Sequence, residues 1–90
     1  MTFVAIMSVR EGTEEERLGR RMQWEIPEGI EVVGEYWLFT PDPECIFVFE
    51  AEDAAVLMAF SGAWNDVYDV TIYPALTAAE GMELAGEMLG

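Results

Sequence analysis

The segment Thr2–Val9 is apolar almost throughout, with Phe3, Val4, Ala5, Ile6 and Met7 in an unbroken run. A half-exposed strand alternates polar and apolar side chains, so a run without alternation reads as a strand covered on both faces. A chain of only 90 residues with such a strand at its start must find cover for both sides of a sheet. That requirement governs the rest of the reading.

Gly12-Thr13 ends this strand. Thr13 with Glu16 has the spacing of a capping box, acids fill the next turn, and Arg20 and Arg21 fall near the end. The helix dipole prefers this order, which predicts a helix over Glu14–Gln23 with Leu18 and Met22 as its apolar contacts. Ile26-Pro27-Glu28-Gly29 is a turn, Ile30–Thr40 a second strand, and Thr40-Pro41-Asp42-Pro43 a connection through which no strand continues. Glu44–Glu50 is the third strand. Asp53 then caps a helix over Ala54–Trp64, apolar on nearly every side, as suits a helix lying flat on a sheet. Val67–Tyr73 is the fourth strand, ended by Pro74. Thr77 with Glu80 opens a C-terminal helix reaching about Met88. The order β-α-β-β-α-β, with right-handed crossovers, predicts an α+β, ferredoxin-like sandwich. It is read as a single domain, 1–75 forming the core and 76–90 the helical tail.

Two helices cover one face of a four-stranded sheet. Alternation sorts the strand residues into two sets. Val4, Ile6, Val32, Gly34, Tyr36, Leu38, Ile46, Val48, Tyr68, Val70 and Ile72 are largely aliphatic and are assigned to the helix side, with Gly34 admitting close helix approach. Phe3, Ala5, Met7, Val33, Glu35, Trp37, Phe39, Cys45, Phe47, Phe49, Val67, Asp69, Thr71 and Tyr73 form the other set, rich in aromatics. Left bare, it would exceed the roughly 300–600 Å² of a monomer's largest apolar patch. A second copy related by two-fold symmetry is the expected cover.

Charge narrows the partners. All four basic residues lie in residues 1–21 and all remaining net charge, −14, comes from residues 22–90; Lys and His are absent. Such a chain repels phosphate backbones and anionic lipid, so nucleic acid and membrane are not expected partners. The acidity fits either adaptation to high salt or an ordinary acidic protein. A single cysteine, Cys45, allows no intramolecular disulfide and fits a reducing compartment. The N-terminal apolar run lacks preceding basic residues and is too short for a signal or a span, so a cytoplasmic location is expected.

Ile26-Pro27-Glu28-Gly29-Ile30, Gly34-Glu35-Tyr36-Trp37, Thr40-Pro41-Asp42-Pro43, Phe49-Glu50-Ala51-Glu52-Asp53, Trp64-Asn65-Asp66 and Pro74-Ala75 together resemble a family of short proteins known only as a domain of unknown function. That family looks like a branch of the dimeric α/β-barrel superfamily, in which two ferredoxin-like sheets pair into a barrel. The superfamily includes cofactor-free monooxygenases, haem-degrading enzymes, isomerases and ligand-sensing modules. The resemblance implies fold and pairing but no chemistry. Without His, the histidine-ligated haem chemistry of some relatives does not carry over.

No catalytic motif stands out, and no cofactor or metal is expected. In a barrel interior, Glu35 and Asp69 would lie among the aromatic set, and a carboxylate against Trp37 and Phe47 would have a raised pKa and serve as a base or grip a polar ligand end; the plainer alternative is that both lie at strand ends in water. Tyr73 completes that lining. Trp64 and Asn65 are residue types that can orient an aromatic substrate. Trp64 continues the Phe60 face, however, and reads first as a core anchor, while Asn65 reads as a helix end. The cluster Glu50, Glu52, Asp53 lacks the spacing of a calcium loop, and Cys45 has no basic neighbour to activate it. The arginines read as a solvated, salt-bridged face, with Glu16 and Arg20 paired at i,i+4. Three functions are expected: a dimer holding a small apolar or aromatic molecule, a cofactor-independent monooxygenase or isomerase, or a scaffold with a filled barrel.

Overall fold

A computed structural model describes residues 1–40 and 42–90 of the chain. The elements are β1 (Thr2–Val9), α1 (Glu14–Gln23), β2 (Glu31–Trp37), β3 (Cys45–Glu50), α2 (Ala55–Trp64), β4 (Tyr68–Ala75) and α3 (Ala78–Leu89). The strands form one sheet in the order β2-β3-β1-β4, every pairing antiparallel. The fold is α+β and ferredoxin-like, with α3 as an addition. The run that opens the chain becomes β1, a central strand. Of the expected Thr40–Pro43 connection, Pro41 lies outside the described residues.

Several local expectations are corrected. β2 ends at Trp37, three residues early, and β4 runs through Pro74, which sits on an edge strand opposite Phe3. An edge strand tolerates a missing N–H donor. Thr13 precedes α1 but makes no capping bond; its hydroxyl donates to the Arg10 carbonyl and accepts from Arg17. Asp53 accepts a hydrogen bond from the Ala55 N–H at 2.8 Å, as a cap does, although it lies two positions before Ala55, the first residue of α2. Gly29, in the turn before β2, has φ +94°. Thr77 and Glu80 form the expected reciprocal capping box on α3.

The assignment of sheet faces is reversed. Ala5, Met7, Cys45, Phe47 and Phe49 are buried together with Phe60 and Trp64 of α2, so the aromatic set faces the helices. The physical reason is volume: α2 stands off the sheet, and large rings fill that gap. Phe49 and Phe60 stack with centroids 5.4 Å apart, and Phe47 lies 5.2 Å from Phe60. The two sets are also mixed by register. Residues directly opposite in an antiparallel pair share a face, and Ile72 opposes Ala5 while Val70 opposes Met7. Val70 and Ile72 therefore join the core side, whereas Tyr73 and Asp69, opposite Val4 and Ser8, lie on the other. In β2 an irregularity between Val32 and Gly34 shifts the phase. Val32, opposite Phe49, is thereby moved to the core side, while Gly34, opposite Val48, faces away from the helices, where the ring of Tyr36 covers it; a Cβ there would lie 2.9 Å from that ring.

The face without helices carries Val4, Ile6, Ile46 and Val48, with Tyr36 and Tyr73 more than half exposed. α3 stands apart from the sheet: no residue of it is buried, and Met82, Leu84, Met88 and Leu89 are exposed. No helix is long and apolar enough to cross a membrane.

Candidate functional site: a cleft between α1 and the sheet

α1 was expected to pack through Leu18 and Met22, but Leu18 is 49% exposed and Met22 87%. The face it turns inward is Arg17, Arg21 and Trp24, spaced i, i+4, i+7. Arg17 is the one buried residue of the helix. Its guanidinium lies over the Tyr68 ring, and that of Arg21 over Trp24, with centroid distances of 5.6 and 5.8 Å. Arginine is weakly hydrated and planar, and so lies against aromatic faces at modest cost. Trp24 closes the helix and meets Phe47, Phe60 and Trp64 edge-on.

These groups enclose a cleft with a free volume of about 40 Å³. Met7, Cys45 and Phe47 form its floor on the sheet, Phe60 and Trp64 of α2 its back, and Leu18 and Trp37 stand at the mouth. Trp37 is 59% exposed. All three tryptophans of the chain, Trp24, Trp37 and Trp64, line this one cleft.

Two acid–arginine pairs flank it, and they differ in tightness. Arg21 donates to both oxygens of Glu35 at 2.9 and 2.7 Å, and the Trp37 indole N–H donates to Glu35 at 2.8 Å. The Arg21 hydrogen bonds hold the Glu35 carboxyl below its usual pKa, prevailing over burial, which pushes the other way. The expected raised pKa is thus corrected, because an aromatic wall comes with a guanidinium and an indole donor. At the other end Glu44 accepts from Arg17 and from the Tyr68 hydroxyl, both at 3.4 Å. Nε of Arg17 is buried and has no hydrogen-bond partner among the described residues. Burial pushes the Cys45 thiol up to about 12, so it is a neutral apolar wall and not a nucleophile.

Of the residues singled out from sequence, the cleft brings together Glu35, Trp37, Phe47 and Trp64. Asp69 is outside it, paired with Arg10 at 2.8 Å, and Tyr73 lies on the sheet's other face. Asn65 ends α2, its N–H donating to Ser61 and its carbonyl accepting from Arg10. Glu35 and Phe47 therefore line a cleft within a single chain and not the interior of a barrel. Sequence reading missed Arg17, Arg21, Trp24 and Glu44; the i, i+4, i+7 spacing of the first three was the available signal. The Glu16–Arg20 pair forms as expected, and Arg20 also grips Asp66.

The fold and cleft define a small α+β protein of ferredoxin-like topology with one aromatic, charge-compensated recess. The chain belongs to the family described as a domain of unknown function, DUF3303, which matches residues 1–89. No curated protein and no solved structure matches it.

Proposed function

We propose that the protein is a homodimeric binding module that takes a small apolar or aromatic molecule in the cleft between α1 and the sheet. The observation that carries this reading is the convergence of every tryptophan on one recess, with half-exposed Leu18 and Trp37 at its mouth. Ligand sites are typically apolar recesses with a few placed polar groups, and this one has that composition. The free volume holds only a few non-hydrogen atoms, so a ring must displace the two mouth side chains. Binding is favoured over a monooxygenase or isomerase because neither candidate base is suited to the task. Glu35 is occupied by three donors, and Asp69 lies elsewhere, paired with Arg10.

Self-association is supported by two uncovered apolar surfaces on the same chain, the aliphatic sheet face and α3. Pairing two sheets through those faces would build the dimeric α/β barrel that the resemblance implies. Its lining would be aliphatic side chains such as Ile6 and Val48, which favours a filled barrel and leaves the cleft as the ligand site.

Tryptophan emission reports on the cleft alone, since no tryptophan lies elsewhere. Titration with toluene is expected to change that emission saturably. Emission that stays constant up to the solubility limit of toluene contradicts the reading.

A further inference from the structure

We propose that the Arg17–Glu44 end of the cleft recognises a neutral planar head group carrying a hydrogen-bond acceptor beside a donor, as in an aromatic amide. The inference rests on the binding reading above and adds the chemistry of the ligand's polar end.

The two ends of the cleft are unequally satisfied. Glu35 holds three short hydrogen bonds and has little capacity left for a ligand. Glu44 has only two contacts of 3.4 Å, against the roughly 2.7–2.9 Å of a close guanidinium–carboxylate bond. Its main chain is nevertheless fixed: the N–H donates to Met7 at 2.9 Å and the carbonyl accepts from Leu38 at 2.6 Å. A rigid backbone thus presents a carboxylate whose hydrogen-bonding capacity is underused.

Arg17 is its complement. The side chain is 8% exposed and is held at one nitrogen by Thr13 at 2.5 Å, while Nε has no partner. A buried donor without an acceptor is left desolvated and unpaired, so an acceptor delivered to it is favoured. Both groups line the same recess. A shift of the guanidinium that gives up only its long contact with Glu44 would let Nε donate to a ligand carbonyl while the ligand's N–H donates to Glu44. The ring would then lie between Leu18 and Trp37.

Charge selects against an anionic head. Arg17 and Arg21 are already matched by Glu44 and Glu35, and the chain as a whole carries −14. A carboxylate ligand would meet Glu44 at close range and a repulsive field at long range. An amide offers the same shape without that penalty.

The test compares toluene, benzamide and benzoate against the full chain by calorimetric titration. Benzamide is expected to bind about tenfold tighter than toluene, the worth of one net hydrogen bond, and benzoate more weakly than benzamide. Arg17→Lys keeps the charge but removes Nε, and should bring the ratio of benzamide to toluene affinity close to one, whatever it does to the two affinities together. Glu44→Gln should raise benzoate affinity, and it decides the matter if Arg17→Lys does not fold. Equal affinity for toluene and benzamide would overturn the head-group assignment and leave the aromatic cleft standing. Benzoate binding tightest would overturn it in favour of an anion site. Failure of all three probes to bind would sink the cleft reading itself.

Discussion

The guanidinium of Arg21 on α1 and the carboxylate of Glu35 on β2 are joined by two hydrogen bonds of 2.7 and 2.9 Å. This pair ties the first helix to the edge strand of the sheet across the cleft. Arg20, one residue earlier, donates to the Ala63 carbonyl and to Asp66 at 2.7–3.0 Å, so this end of α1 is tied both to the sheet and to the end of α2.

Acid should weaken that tie. Glu35 has its pKa lowered in the folded state, so its contribution is present above the unfolded value and is lost as pH falls through the folded one. Glu35→Gln should lower the melting temperature at pH 6 and narrow its gap to wild type near pH 3. An equal gap at both values would show that the carboxylate's charge contributes nothing.

Alkali should act through different groups. Burial is the largest cause that raises the Cys45 thiol from 9.0 and the Tyr68 phenol from 10.0, each to about 12. Their contribution is complete below the unfolded values and is lost as pH rises toward the folded ones. Thermal stability should fall between pH 8.5 and 11, and less so in Cys45→Ala. At pH 8 the native thiol should resist a disulfide reagent and react only on unfolding. Rapid native reaction would place Cys45 at the surface.

Phe60, 1% exposed, lies between Phe47, Phe49 and Trp24. Phe60→Ala should cost about 3–5 kcal/mol, a large share of the roughly 5–15 kcal/mol of a domain. Urea unfolding measures it. A loss below about 1 kcal/mol would mean that the aromatic cluster is not the core.

These residues also show what the sequence made legible. Element order followed from punctuation: Gly12-Thr13, Pro27-Glu28-Gly29 and the Thr77–Glu80 box each end or begin an element through local chemistry. Phase between strands did not follow, because alternation orders residues within a strand and not across strands. Whether Val70 sides with Met7 or with Ile6 is decided by register, which the pairing Met7↔Val70 reveals. The inward face of α1 was hidden for another reason. Arg17 buries a charged group by stacking on Tyr68 and bonding Thr13, and an apolar-stripe search passes over it in favour of Leu18.

Association is tested on the corrected face. Val48→Asp, on the sheet side away from the helices, should yield a folded monomer in sedimentation, and the wild type is expected to sediment as a dimer. Removing residues 76–90 should weaken association more than it lowers helix and strand content in the remainder. A wild-type monomer at micromolar concentration would remove the dimer. A truncated chain that stays dimeric but melts much earlier would make α3 a brace on its own subunit.

Isotope-filtered NMR locates a small aromatic molecule bound to the protein. With toluene bound, magnetisation transfer is expected from the ligand to the methyl groups of Met7 and Leu18, the floor and mouth of the cleft. Transfer to Ile6 and Val48 instead, on the opposite face of the sheet, would place the ligand inside a barrel between subunits and contradict the cleft as its site.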